Sequence, residues 1–503
     1  MTEAVPWWTN AIFFYQVYPP RSFADSNGDG VGDLEGVTAH LDHVSELGVD
    51  AIWLNPVMVS PPMADHGYDV ADPRDVDPLF GGLGALERLI TEAHARGIRI
   101  TMDLVPNHTS SQHTWFQAAL GAAPGSVERE RYIFRDGLGP AGTQPPNNWV
   151  SVFGGPAWTR VADGQWYLHL FDSEQPDLNW DNPPEVFADL EKTLRFWLDR
   201  GGVDGFRIDV AHGMAKPPGL PDMTNPDVAM LTLDDHDPRF NHEGVHEIHR
   251  GIRSVLDDYP PHAVTIGEIW VFDNADFAKY LRPDELHMGF NFRLVRAEFD
   301  PASVRGAIEN ALAAAALADA SPTWTLSNHD VEREVSRYGD GTTGLAGPVR
   351  WRWSCWRYPG GRCSSTTAKN WGCPTSTCPT RRCRTRCGNA RSTPNAAATL
   401  PGADAVVGRY TAVRLLVQPR HLAADAAGLV HRDRRTPTRR TGFDTAVLPH
   451  DPSAAAQPLS LHRVRRGVAA AARRRAGVRI GRGVLCVLNT GGTPPLQLPA
   501  GEL

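Results

Sequence analysis

From Ile12 to about Arg337 the chain alternates short apolar runs with stretches whose apolar residues return every three or four positions. The runs Ile12 to Tyr18, Ala51 to Asn55, Ile98 to Leu104, Gly205 to Asp209, Val264 to Glu268, Met288 to Phe292 and Thr323 to Leu326 predict strands. Gly82 to Arg96 and Val186 to Arg200 read as amphipathic helices, the second stopped by Gly201 and Gly202. Strand–helix alternation sustained over this length implies a parallel sheet. The fold class it predicts is α/β, a (β/α)8 TIM barrel, whose chemistry sits beyond the C-terminal ends of its strands. Seven strands are accounted for, and the eighth must follow Arg337.

The alternation breaks twice. From Thr109 to about Asp172 the chain is rich in Gly, Pro, Asn and Trp and reads as a long excursion after the third strand. The second break begins near residue 345. No glutamate occurs between Glu334 and Glu502, and six of the seven cysteines lie between Cys355 and Cys387 among crowded arginines. Those cysteines form no CxxC pair and have no histidine among them, which argues against a zinc module.

At 503 residues the chain has room for one barrel-sized domain and a smaller one or two. No run approaches 18 apolar residues, so no membrane span is expected. Met1 to Asn10 lacks a basic region followed by an apolar core, which predicts a cytoplasmic protein. A formal charge of -8 argues against nucleic acid as the main partner.

Four strings end predicted strands with polar side chains: DLVPNH (Asp103 to His108), GFRIDV (Gly205 to Val210), GEIW (Gly267 to Trp270) and SNHD (Ser327 to Asp330). Retaining cleavage of a glycosidic bond needs one carboxylate to attack the anomeric carbon and another to protonate the leaving oxygen. Asp209 fits the first role: it lies two residues after Arg207, on the same face, and a guanidinium there keeps it ionised. Glu268 fits the second. It must carry a proton when substrate arrives, so burial, nearby carboxylates and the apolar Ile269 and Trp270 are expected to raise its pKa. DSNGDGVGD (Asp25 to Asp33) alternates oxygen donors with glycines, and Asp25, Asn27, Asp29, the carbonyl of Val31 and Asp33 could surround a hard cation. Gly36 holds the position where an EF-hand has glutamate.

In this order the four strings resemble the motif regions of the α-amylase family, glycoside hydrolase family 13. QPDLNW (Gln175 to Trp180) resembles the fifth region in the version found in the oligo-1,6-glucosidase and α-glucosidase branch. The resemblance implies a domain B at residues 109–172, walling the substrate cleft between barrel parts at 1–108 and 173–344. It makes Asp330 the third carboxylate, binding sugar hydroxyls and helping to distort the ring, with His329 and His108 donating to hydroxyls. It places Asp65 and Tyr68, in ADHGYDV, around the terminal glucose, with Tyr68 stacked on the sugar face. It implies a structural calcium ion, or magnesium, in the Asp25–Asp33 loop, and an oligosaccharide as substrate. Val210 is the residue usual in relatives that cleave α-1,6 bonds. The activity implied is that of a retaining α-glucosidase on short malto- and isomalto-oligosaccharides. A transglucosylase or sugar isomerase of the same family, and a non-catalytic barrel, are the alternatives.

After Tyr338 the likeness stops, returning only at GVLCVLNTGG (Gly483 to Gly492), which resembles a strand of the family's C-terminal β-domain. Ser364 to Gly372 can be coded so that moving two bases forward reads LYNGEELG, the expected eighth-strand motif. Leu400 to Thr411 likewise yields CRVPMPWSGDTP one base forward. Residues 345–482 therefore read as a frame-shifted segment and 483–503 as the remnant of a degenerate β-domain. The consequence expected is a barrel left open at its first and seventh strands, without a pocket arginine, in a chain that is unstable or weakly active.

Overall fold

A computed structural model describes residues 6–9, 13–18, 24–61, 64–181, 184–226, 236–259, 263–326, 328–332 and 337, and the strands Arg362–Thr366, Arg475–Ile480 and Val484–Asn489. Eight parallel strands form its centre: β1 (Phe13–Val17), β2 (Ala51–Leu54), β3 (Arg99–Leu104), β4 (Gly205–Ile208), β5 (Val264–Glu268), β6 (Met288–Asn291), β7 (Thr323–Thr325) and β8 (Arg362–Thr366). They close into a barrel in sequence order, β8 lying between β7 and β1. All seven strands anticipated from the apolar runs are present.

Alternation along the strands sorts side chains into two layers. Phe14, Trp53, Val264, Ile266, Met288 and Phe290 gather in one buried cluster. Their neighbours Tyr15, Ile52, Leu54 and Ile100 join a second cluster with helix residues such as Leu86, Leu89 and Ile252. The parity of the inner set, carried to the strand ends, reaches Gln16, Asn55, Asp103, Arg207 and Glu268. The same alternation that fills the barrel therefore aims polar groups inward at one rim.

Two predicted helices occupy the outer layer, α1 (Gly82–Ala95) and α2 (Pro184–Phe196), followed in chain order by α3 (Val245–Asp257) and α4 (Pro301–Leu317). The second predicted helix ends in a π turn at Trp197–Gly201, and Gly202 takes φ 68° to release the chain toward β4. Gly205 opens β4 at φ 149°, where an added Cβ would lie 2.1 Å from the carbonyl oxygen of Val264. Only glycine lets β4 approach β5 this closely.

The excursion after β3 forms its own unit. It holds helices Thr114–Gly121 and Val127–Glu130 and an antiparallel sheet of Phe134–Asp136, Gln165–Leu168 and Trp158–Arg160. Aromatic residues Phe116, Tyr132, Phe134 and Tyr167 fill one of its cores. The other combines Trp149, Trp158, Leu168 and Phe171 with Val210 and Phe240 from the barrel side, so the unit is anchored at the rim next to Asp209.

The expectation of an open barrel is overturned. Arg362–Thr366 is parallel to both neighbours, pairing Phe14 with Ser364 on one side and Thr325 with Ser364 on the other. Closure uses backbone amides and carbonyls, which any extended, proline-free segment supplies, so the family's own eighth-strand motif is not required for it. Apart from Arg475–Ile480, the rest of the stretch assigned to a changed frame lies outside the described residues, and so does the place of the pocket arginine lost with it. Near the end, Arg475–Ile480 pairs antiparallel with Val484–Asn489, and the strand anticipated in GVLCVLNTGG is the second of these. Among the described residues no helix is long and apolar enough to cross a membrane.

A proline at Ser364 removes a ladder donor at the closing strand. Ser364→Pro is expected to cost roughly 1–3 kcal/mol in urea unfolding and to speed amide exchange in β1 and β7. Unchanged exchange in both strands would refute this closure.

Candidate active site

Arg207 ends up at the middle of the rim, 1% exposed and surrounded by acids. Its Nη1 donates to Asp103 Oδ1 at 2.7 Å and to Asp209 Oδ1 at 2.5 Å, while Nη2 reaches Glu268 Oε2 at 2.7 Å. One guanidinium thus holds acids from the ends of β3, β4 and β5. Its plane also lies over Trp53, 5.0 Å from the ring centroid. Asp103 takes a further bond from Trp53 Nε1 at 3.0 Å.

A second chain of bonds runs around the far side of the rim. Gln16 Nε2 donates to Asn55 Oδ1 (2.7 Å) and lies 2.9 Å from His329 Nδ1, which must then accept. That choice places the His329 proton on Nε2, 2.7 Å from the Tyr68 hydroxyl. The Tyr68 hydroxyl donates in turn to Asp103 Oδ2 at 3.0 Å. The Tyr68 and His329 rings stack at 5.4 Å with 5° between planes. One neighbour of the Tyr68 ring is thus an imidazole, and its hydroxyl joins the acid network. Asp330 follows on the open side, its side chain 45% exposed and its Oδ1 3.2 Å from His329 Nε2.

Charge is crowded here. Asp103, Asp209, Glu268 and Asp330 share one buried cation, and as a group they hold protons more tightly than isolated carboxylates. Burial pushes the Asp209 carboxyl up, and the negative charge of Glu268 adds to it against the pull of Arg207. Asp330 is also shifted upward, by loss of hydration on its inner side and then by the charge of Glu268. Glu268 moves the other way. Burial would raise it, but Arg207, the Trp270 indole N–H at 2.9 Å on Oε1 and the Val210 amide at 3.0 Å on Oε2 outweigh burial and hold it below the usual range. This corrects the expectation that Glu268 is raised: Trp270 supplies a hydrogen-bond donor rather than a merely apolar wall.

Local backbone makes the Val210 bond possible. Val210 adopts φ 42°, a strained value for a β-branched residue, which turns its amide toward Glu268. The loop after Asp209 is pinned further on. His249 of α3 lies 2.7 Å from the Ala211 carbonyl, and Asn241 donates its amide to the His212 carbonyl at 2.7 Å. Lys216, 2% exposed, pairs with Asp177 of QPDLNW at 2.8 Å and reaches Asn107 Oδ1 at 3.2 Å.

His108 is buried 5.4 Å from the Phe171 ring, its Nδ1 3.3 Å from Asn107 Nδ2. Burial pushes it down to about 4, so the imidazole is neutral. Asp65 accepts from Gln175 Nε2 at 2.8 Å. Sequence reasoning gave no role to Asp103, Trp53, Gln16 and Asn55, although each stands at the inward parity of a strand end.

The Asp25–Asp33 loop stands apart from this network. Asp25 accepts the amides of Gly28 and Gly30, Asp29 that of Val31, and Asp33 those of Ser26 and Gly36. Gly36 is there for space: a Cβ would meet the Ala24 oxygen at 2.0 Å. The donors are the hard oxygens that calcium and magnesium prefer. The three aspartates turn them onto the loop's own amides, and among the described residues no three His, Cys, Asp or Glu side chains converge as a metal site.

The site is thus a cluster of acids around one arginine at the C-terminal rim of a (β/α)8 barrel. The family model for the alpha amylase catalytic domain matches residues 16–347, and the chain belongs to this family, glycoside hydrolase family 13. It is 42% identical over 358 residues to a trehalose-6-phosphate hydrolase of Escherichia coli (strain K12), covering 68% of this chain and 61% of that one. It is 40% identical over 362 residues to an oligo-1,6-glucosidase of Heyndrickxia coagulans, covering 68% and 62%. Among solved structures it resembles an alpha-glucosyl transfer enzyme, with TM-score 0.67 at 38% identity over 74% of this chain and 70% of the other. These relatives place it on the α-glucosidase branch. The chain spans about three-fifths of the length of the curated relatives it matches.

Asp69 offers a test of the rim's electrostatics. It is 2% exposed with Oδ1 unpartnered, and burial, then Asp65, push it up to about 7. An acid raised on folding favours the folded state below its unfolded value near 4, and that advantage is lost as pH rises through about 7. Relative to the parent, Asp69→Asn should gain roughly 2–4 kcal/mol between pH 4 and pH 8 in urea unfolding. Parallel stability curves for the two proteins would contradict the assignment.

Proposed function

We propose that the chain is a retaining α-glucosidase acting on terminal α-glucosidic bonds of short malto- and isomalto-oligosaccharides. The observation that carries this reading is the single guanidinium of Arg207 gripping both Asp209 and Glu268 at the ends of adjacent strands. Two acids so held flank one small space, as attack and leaving-group protonation on one sugar carbon require. Asp209 attacks the anomeric carbon. Glu268 protonates the leaving oxygen and then activates water for the second half. Asp330, beside His329, binds ring hydroxyls and supports the distorted sugar, and the buried neutral His108 donates to another. Asp65 and Tyr68 close the terminal pocket. Glu268 must carry a proton when the bond breaks, because the leaving oxygen takes it from this acid. The sugar displaces water from a site already short of positive charge, and its hydroxyls donate to the carboxylates that remain ionised.

Asp209→Asn is expected to lower turnover of an aryl α-glucoside by roughly 10^3-fold or more, and Glu268→Gln to remove hydrolysis of maltose and isomaltose. Wild-type rates in Asp209→Asn would end the proposal. Running trehalose 6-phosphate beside the two disaccharides, and resolving products by chromatography, separates hydrolysis of each from glucosyl transfer. Those are the activities for which the trehalose-6-phosphate hydrolase and the alpha-glucosyl transfer enzyme are named.

We also propose that the Asp25–Asp33 loop takes calcium, or magnesium, as a structural ion, on the strength of its oxygen donors. Either ion at one hundred times its Kd should then stabilise the chain by about 2.7 kcal/mol, and Asp29→Ala should abolish that gain. A Tm indifferent to both ions and to a chelator would remove the ion from the proposal.

A further inference from the structure

Trp270 occupies a place that the proposed reaction leaves unexplained. Its indole is stacked on Phe292, 4.0 Å between centroids and 3° between planes. The Arg296 guanidinium lies 5.4 Å from its ring centroid. Phe292 and Arg296 thus fix the ring, and the fixed ring delivers its only donor, Nε1–H, to Glu268 Oε1 at 2.9 Å. With Arg207 and Val210 both on Oε2, each oxygen of the acid already accepts from a donor, and among the described residues the bond to Oε1 comes from Trp270. A carboxylate so held must release Oε1 before that oxygen can carry a proton to a leaving group.

We propose that Trp270 is a positioning residue whose indole N–H holds Glu268 Oε1 and thereby tunes the acid that cleaves the bond. This rests on the reading of Glu268 as the acid and deepens it. The other charged or titratable groups facing Glu268 are Arg207, Asp209 and His212 from β4 and the loop after it, Asp103 from β3, and Asp330 beyond β7. None of them bonds Oε1, so their fields act on both states of the Trp270 contact alike. A hydrogen bond donated to a carboxylate favours its charged form; its removal raises the pKa. The indole is half-buried at the rim, where an aglycone would leave. Entry of a sugar there exchanges the indole N–H for a sugar oxygen on Oε1 and loads the proton only when a bond is in place to receive it.

The test uses the full chain. In spectra of protein labelled with 15N at the tryptophan indoles, Trp270→Phe identifies the Trp270 resonance by its loss, and Glu268→Ala should shift that resonance more than any other. A Trp270 resonance indifferent to Glu268→Ala overturns the clamp without any need for turnover. In kinetics on 4-nitrophenyl α-glucoside, Trp270→Phe keeps the stack but lacks the donor. Its alkaline limb of kcat/KM should move up by about one pH unit, and Trp270→His, which restores a ring N–H, should move it back. An unmoved limb alongside an inactive Glu268→Gln on maltose rejects the clamp and leaves the glucosidase reading standing. A Glu268→Gln enzyme that cleaves maltose normally rejects the reading itself.

Discussion

The site depends on one buried guanidinium. Arg207 is the cation that Asp103, Asp209 and Glu268 bond directly and whose field Asp330 shares. Burying acids is costly without such a partner, and removing one member of a buried pair is more costly than never having it. The arrangement is therefore all or nothing: with Arg207 in place three strand ends are drawn to one point, and the surplus negative charge is settled by retained protons. The same shortage of positive charge gives the site its acid–base character. Groups that must share a proton are groups among which a proton can be moved by a small change in hydrogen bonding.

The loop that follows Asp209 is held from several sides, and this fixes the Asp209 carboxylate more firmly than the strand alone could. Val210 carries a left-handed backbone while its side chain sits in the aromatic cluster of the excursion after β3. His249 and Asn241 secure the next two carbonyls, and Lys216 ties the loop's end to Asp177 and Asn107. The excursion is thus more than a cleft wall. By fixing Val210 it fixes the amide that bonds Glu268, so packing in one unit reaches the acid in the other.

Much of this was legible in the residues. The apolar runs located seven strands because barrel strands must be buried along their length, and the strings ending them named Asp209, Glu268, Asp330 and Arg207 because charge at the end of an apolar run needs a reason. What sequence could not supply was direction of hydrogen bonding. Trp270 next to Glu268 reads as apolar cover, and only the geometry shows a donor that reverses the expected shift. Asp103, Gln16 and Asn55 were in view but carried no role, since their importance lies in partners far along the chain. The strand Arg362–Thr366 escaped because RCSST has neither the apolar run nor the motif used to find its companions, and its place is set by the gap between β7 and β1.

That last strand separates architecture from chemistry. A ladder of peptide groups is indifferent to the side chains it carries, so drift or substitution in the segment that completes the cylinder spares its shape. Any reactive group once delivered from beyond it enjoys no such protection. Scaffold and catalyst can therefore age at different rates within one polymer, and an intact ring of strands is no measure of how much sugar chemistry its descendants keep.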